Sequence, residues 1–253
     1  MTNLLTWKQD IEDPDMRHSQ DYLYMMDRHY FNGRYVVDLY KHLPPEDPKG
    51  FVYTLMGTFL DYGPAIAAAE ADFSVFRKAE WETRPISHAA ADGFITKHHY
   101  SKGMGRVSSV RLGLFRKVDM LMMGAAVYMM APRGVSKRYK TGAKDILALS
   151  RLAVAPLVPC NGASFLIGAS IRYIAQHRTD IKMLVTYADG MQQHTGAIYR
   201  ASNWTYDGQT PKTYRWKDSN GRLVSSLSHT VAYMRANYLR EGPYFKERFI
   251  WRY

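Results

Sequence analysis

The chain of 253 residues has one cysteine, Cys160, which excludes an intrachain disulfide and a cysteine-based zinc site and fits a reducing compartment. It also lacks a long apolar run. The longest, Leu121 to Pro132, spans about twelve residues and ends at Arg133, against the roughly 20 that a membrane helix needs. No internal repeat or low-complexity tract is visible, and the acidic start MTNLLTWKQDIEDPD resembles neither a signal peptide nor a transit peptide. With 46% hydrophobic and 23% charged residues, these absences lead to the expectation of a soluble globular protein with one sizeable core and no membrane partner.

Acidic residues are scarce in one stretch. Residues 97–144 hold 11 Lys+Arg against 1 Asp+Glu, whereas residues 1–96 hold 9 against 15. Residues 145–195 are nearly neutral and 196–253 are basic again, with 10 against 4. Basic segments interleaved with aromatics, such as KRYK at 137–140 and TYRWK at 213–217, suit phosphate contacts beside base stacking, although a solvated basic surface looks similar.

What is present reads as an α/β order. The first 75 or so residues look aromatic-rich and irregular, with a helix beginning at Pro64 after Gly63 and running to Trp81. Residues 1–78 are taken as an N-terminal extension packed on a main body of residues 79–253. Ser87 is placed as the N-cap of a helix holding Ala90, Phe94 and Ile95, which puts HHYSKGMGR (98–106) at a helix end and the start of a loop. That cluster could be an ordinary polar helix terminus, with His and Lys complementing the dipole before Gly103. A hairpin over 110–130, a strand over 146–156, a Gly162 loop with a helix after it, a strand over 183–189 and a helix over 191–202 follow.

Asn161, Gly162, Ala163 and Ser164 could offer backbone donors to a pyrophosphate at a helix N-terminus, although short loops with one glycine are common. Asp189 stands where a strand gives way to a helix and reads either as a functional group or as an N-cap. Tyr199 could face core or cleft. Arg151, inside a strand, needs an anionic partner if it is buried. No metal is expected, because adjacent His98 and His99 point about 100° apart on a helix and no carboxylate or thiol accompanies them.

The set HHYSK, LSRLAVAP, NGASFL, YAD and GAIYRASNW, in this order over roughly residues 80–215, resembles the phage Mom family of DNA-modification proteins, within the wider acyl-CoA-dependent N-acetyltransferase (GNAT) superfamily. The resemblance implies a mixed, mainly antiparallel central sheet flanked by helices. It also implies conversion of adenine in phage DNA to N6-carbamoylmethyladenine, an anti-restriction activity exerted in the host cytoplasm. Carried over position by position, it places catalysis at His99, Tyr100, Asp189 and Tyr199, and donor binding at Arg151 and Ser164, beside the Asn161 and Gly162 backbone donors read from the loop itself. The sequence departs from the pattern at the additional His98, and at LVPCNGAS, which replaces the superfamily loop Q/R-x-x-G-x-G/A.

Adenine N6 is a weak nucleophile, so the chemistry requires orientation, a proton acceptor and an activated donor; in a duplex the base must also be flipped or transiently unpaired. Under this reading Lys102, Arg106, Arg111, Arg133, Lys137, Arg138 and Lys140 grip phosphates of double-stranded DNA, and His99 or Asp189 accepts the proton. Carbamoylmethyl and glycyl groups are isomers, which favours a glycyl donor, with glycyl-tRNA among the candidates and tRNA then a further partner. Acetyl-CoA supplies two carbons but no amide nitrogen. A homodimer is one option for the assembly. An ordinary N-acetyltransferase and a non-catalytic DNA-binding antirestriction protein are the competing readings.

Overall fold

In the computed structural model, residues 5–11, 13–19, 23–43, 52–105, 107–224 and 230–253 are described. The elements in chain order are β1 (Trp7–Gln9), β2 (Met16–Ser19), β3 (Tyr24–Phe31), β4 (Arg34–Leu43), β5 (Val52–Phe59), α1 (Tyr62–Phe73), a 3-10 turn (Lys78–Glu80), β6 (Trp81–Pro85), α2 (His88–His98), β7 (Val110–Arg116) and β8 (Leu121–Met130). There follow α3 (Arg133–Tyr139), β9 (Ile146–Val154), α4 (Gly162–His177), β10 (Met183–Asp189), a 3-10 turn (Gly190–Gln192), α5 (Ala197–Ala201), β11 (Thr205–Gln209), β12 (Thr213–Lys217), β13 (Leu223–Val224), α6 (Val231–Asn237), β14 (Leu239–Tyr244) and β15 (Lys246–Arg252). Among the described residues no helix is long and apolar enough to cross a membrane.

The fold is mixed α/β with a seven-stranded sheet in the order β11-β15-β10-β9-β8-β7-β6. Its β6–β7, β10–β15 and β11–β15 pairs are antiparallel, whereas β9 and β10 run parallel over Ile146–Leu149 and Met183–Thr186. By compactness the chain forms two units, one of residues 1–127 and 151–173 and the other of residues 128–150 and 174–253, so that β8, β9 and α4 each contribute to both.

In the first unit the N-terminal residues are not irregular. β1 to β5 form an antiparallel sheet in sequential order, closed at Asn32-Gly33 by a tight turn in which both residues take positive φ, 49° and 83°. Alternation places Tyr24, Met26, Val37 and Leu39 on one face, where Ala65, Ala69 and Phe73 of α1 cover them at four-residue spacing. Asp61 caps α1, which stops at Phe73 rather than at Trp81: the Val75 amide tightens onto the Asp72 carbonyl at 3.2 Å and Arg77 is extended. Asp72 on this helix accepts from the Tyr24 hydroxyl at 2.7 Å and pairs with Lys41 at 2.9 Å. Burial alone would raise its pKa, but these partners hold it below the ordinary carboxylate value.

In the second unit Val135 of α3 packs with Ile146, Ala148, Met183, Val185 and Ile250. The basic stretch that holds Arg133, Lys137, Arg138 and Lys140 therefore begins as a helix anchored through Val135. The helix expected over 191–202 is broken into the 3-10 turn and the short α5, because Gln193 and Gly196 take left-handed φ of 57° and 69°. A Cβ on Gly196 would also lie 2.4 Å from the Phe249 ring.

Candidate functional site

The histidine cluster is organised by the end of α2. The Ser87 hydroxyl accepts from the Ala90 amide at 3.1 Å to start the helix, and Ala91, Phe94 and Ile95 bury one side of it. His98 is the last helical residue, and His99 turns out at φ −103° and ψ 141°. The Ser101 amide donates to His99 Nδ1 at 3.1 Å, which assigns the proton of the neutral ring to Nε2. Ser101 Oγ lies 2.8 Å from the same nitrogen and 3.0 Å from the Gly103 carbonyl, to which Arg151 Nε also donates at 3.1 Å. His99 and Arg151, distant in sequence, are thus tied to one loop. Asp92 fastens that loop to α2 by accepting from the Met104 amide at 3.1 Å. Ser101 and Asp92 are not evident from residue type; the available signal is a serine two residues after His99, the residue that caps α2.

The two histidines have different surroundings. His99 packs against Tyr100, 4.3 Å between ring centres, and Tyr100 is 47% exposed. His98 packs on Phe94 at 4.4 Å, and burial, followed by the charges of Lys97 and Lys102, pushes its pKa down. His98 also lines a groove of about 740 Å³ walled by Ala89, Gly93 and Phe94 of α2, by Met123 of β8, and by Ala155 to Leu157 after β9. The small residues Ala89, Ala90 and Gly93 leave this space beside the helix. Their spacing was visible in the sequence but was read only as helix.

At the start of α4 the expected donor set is reduced. The Gly162 amide donates to the Pro159 carbonyl at 3.1 Å and the Ser164 hydroxyl to the Asn161 carbonyl at 2.9 Å, so both are spent on the turn itself. The first-turn amides of Ala163 and Ser164 remain as the helix's outward donors. Gly162 has a packing reason as well, since a Cβ there would meet Val158 Cγ1 at 2.1 Å. Cys160 is exposed on this turn.

The second unit carries the other two expected catalytic residues. Asp189, 6% exposed at the end of β10, accepts from the Met191 amide at 3.1 Å and stands 3.4 Å from Lys246 Nζ, so it caps the following turn and is ion-paired as well. Tyr199, on α5, packs on Phe249 at 5.4 Å and Trp204 at 5.9 Å, and burial raises its pKa.

The basic residues do not form one uniform surface. Lys102, Arg133, Lys137 and Lys140 are exposed. Arg111 is partly engaged: its Nε donates to the Ile86 carbonyl at 3.2 Å and its Nη1 to Ser108 at 2.8 Å and 3.0 Å. Arg116, at the end of β7, is buried on Asp119. Arg138 lies 3.4 Å from Asp207, which also accepts from Tyr139 at 2.5 Å and Arg248 at 2.6 Å. Arg106 lies outside the described residues.

The Mom protein family matches residues 80–251, well over half of the chain, and the chain belongs to that family. No curated protein matches it. Among solved structures it is similar to an acetyltransferase of the GNAT family from Streptococcus pneumoniae, at 12% identity and a TM-score of 0.44 over 69% of this chain and 100% of that one. It is similar also to an IAA acetyltransferase from Bacillus cereus, at 8% identity and a TM-score of 0.43 over 68% and 99%. A mutant of the spermidine N-acetyltransferase SpeG from Vibrio cholerae aligns at 10% identity and a TM-score of 0.41 over 69% and 94%.

Proposed function

We propose that this protein is a DNA-modifying transferase that converts adenine in duplex DNA to its N6-carbamoylmethyl form with an activated acyl donor. Membership of the Mom protein family over residues 80–251 carries the reading. Adenine N6 must lose a proton as it attacks, and a neutral imidazole facing the substrate space is the suitable acceptor. His98 lines the groove and is held in the neutral form, whereas His99 has Nδ1 engaged and its proton on Nε2. His98 is therefore assigned as proton acceptor. His99 offers its Nε2 proton to the substrate, and Tyr100 presents an exposed ring for stacking on an extruded base. Arg151 keeps the loop in register through Gly103 and adds a positive charge beside it. The Ala163 and Ser164 amides at the start of α4 suit an anionic part of the donor.

A glycyl donor balances the reaction. His98 takes the N6 proton and passes it to the leaving group as the N6–C(acyl) bond forms and the bond from the acyl carbon to that group breaks; rearrangement then breaks the N6–C(acyl) and CH2–NH2 bonds and forms N6–CH2 and C(acyl)–NH2, with no oxidant or reductant. Nucleoside mass spectrometry on DNA from cells expressing the protein tests the function. A deoxyadenosine heavier by one carbamoylmethyl group, absent with a His98→Gln, Asp189→Ala variant, is the expected result. Unmodified DNA from folded, DNA-binding protein would reject the reading. Full modification by purified enzyme with acetyl-CoA, ammonia and a two-electron oxidant, but none with glycyl donors, would reject the donor.

A further inference from the structure

The β3–β4 hairpin continues past both of its neighbours. β2 pairs with β3 no further than Met16 with Asp27, and β5 meets β4 no further than Phe59 with Val37. Beyond Arg28, whose amide still reaches the Asp15 carbonyl at 3.0 Å, the two strands pair, among the described residues, with each other alone, Tyr30 with Tyr35 and Phe31 with Arg34. An isolated two-stranded ribbon is marginal in water, and the Asn32-Gly33 turn is the strongest local means of closing one.

This ribbon is not the polar tip that a soluble protein ordinarily carries. Tyr30 is 65% exposed, Phe31 57% and Tyr35 53%. The Arg28 guanidinium sits 4.6 Å over the Tyr35 ring, and Tyr35 meets Tyr30 edge-on at 5.3 Å, so one face presents a row of cation and aromatic rings. Strand alternation turns His29, Phe31 and Arg34 to the other face. No carboxylate occurs between Arg28 and Val37, although residues 1–96 as a whole carry 15 Asp+Glu against 9 Lys+Arg. Exposed aromatics alone would suit an apolar protein surface. Aromatics interleaved with arginines, in a carboxylate-free island of an acidic segment, suit a polyanion with stackable bases. A two-stranded ribbon also has the cross-section that the major groove of B-form DNA admits.

We infer that the β3–β4 ribbon is a second DNA-engaging element that enters a groove of duplex DNA, with Tyr30 and Phe31 packing against bases and Arg28 and Arg34 on phosphates. The inference rests on the duplex-DNA substrate of the proposed function and adds a contact outside residues 80–251. Wedging at a base step lowers the cost of unstacking, which the extrusion of a target adenine requires.

The test is fluorescence anisotropy of a labelled duplex with full-length protein, unaltered, as Tyr30→Ala, Phe31→Ala, and as Arg28→Ala, Arg34→Ala. The aromatic pair should weaken binding roughly tenfold, and the arginine pair should lower the slope of log affinity against log salt by about two. Both variants should melt as the unaltered protein does, since these side chains are exposed. The unaltered protein should also photo-crosslink to iododeoxyuridine-containing duplex through the peptide 28–35, a readout that needs no variant. Unchanged affinity and salt slope in the variants, or crosslinks confined to other peptides, would overturn the inference while leaving the proposed function to its own mass-spectrometric test. An unaltered protein that binds no duplex would overturn both.

Discussion

Arg151 Nε donates to the carbonyl of Gly103 at 3.1 Å, and the same carbonyl lies 3.0 Å from the hydroxyl that holds His99. The guanidinium thus secures the loop after α2 as well as carrying charge. Lysine at this position keeps the charge but loses the planar donor geometry. Arg151→Lys should therefore lower stability by about 1 kcal/mol, the value of one hydrogen bond, and reduce DNA modification by an order of magnitude or more. Denaturant unfolding beside nucleoside mass spectrometry checks both effects. Unaltered activity in a destabilised variant would reduce Arg151 to a structural role.

The strands over 110–130, 146–154 and 183–189 were legible because continuous apolar runs bounded by polar turns have few alternatives. The Ser87 cap and the helix end at His98 were legible for the same local reason. The N-terminal sheet was not, since its strands mix charge and aromatics over both faces and only α1 explains which face is buried. At the site, sequence pattern singled out Arg151 and His99 but not the carbonyl that joins them, because a tertiary hydrogen bond to backbone leaves no residue signature. Arg111 is the converse case. Charge counts do not reveal that its Nε and Nη1 are already engaged by Ile86 and Ser108.

His98 should govern the acid limb of the pH profile. Its pKa lies below the ordinary histidine value because of burial, then Lys97, then Lys102. Modification should therefore hold through the usual histidine range and fall only at more acidic pH, as the ring becomes charged. Lys102→Ala removes a positive neighbour and should move that limb to higher pH. His98→Gln should cost about 100-fold or more in rate, the usual contribution of a general base. His99→Asn retains an acceptor for the Ser101 amide and should lose less. Single-turnover rates across pH distinguish these cases, and an acid limb unmoved by Lys102→Ala would assign it to another group.

Gly162 is constrained by packing. An added Cβ would press on Val158 at 2.1 Å and on Phe76 at 3.3 Å, so Gly162→Ala should destabilise by about 1–3 kcal/mol through overpacking. Val158→Ala in the same chain should recover part of that loss by making room. A double-mutant cycle by chemical denaturation measures the coupling, and additive losses would show that the clash is relieved elsewhere.

Asp207 gathers Tyr139, Arg138 and Arg248, and of these Arg248 is the most buried at 7% exposure. Burial would raise the Asp207 pKa, but the hydrogen bonds from Tyr139 and Arg248, with the charges of Arg248 and Arg138, bring it below the ordinary value. A carboxylate whose pKa is lowered by folding stabilises the folded state above its unfolded pKa and loses that contribution as pH falls through the folded one. The unaltered protein should lose this stability only below about pH 4, near the ordinary carboxylate value. Asp207→Asn should be less stable at neutral pH by up to about 3 kcal/mol, because Arg248 loses its charged partner in a partly screened site. The variant should then show a correspondingly smaller loss on acidification. The substitution also releases Arg138 on α3, so duplex binding should strengthen or hold while stability falls. Paired melting and anisotropy series over pH measure both, and parallel loss of stability and binding would mean that the cluster orders α3 itself.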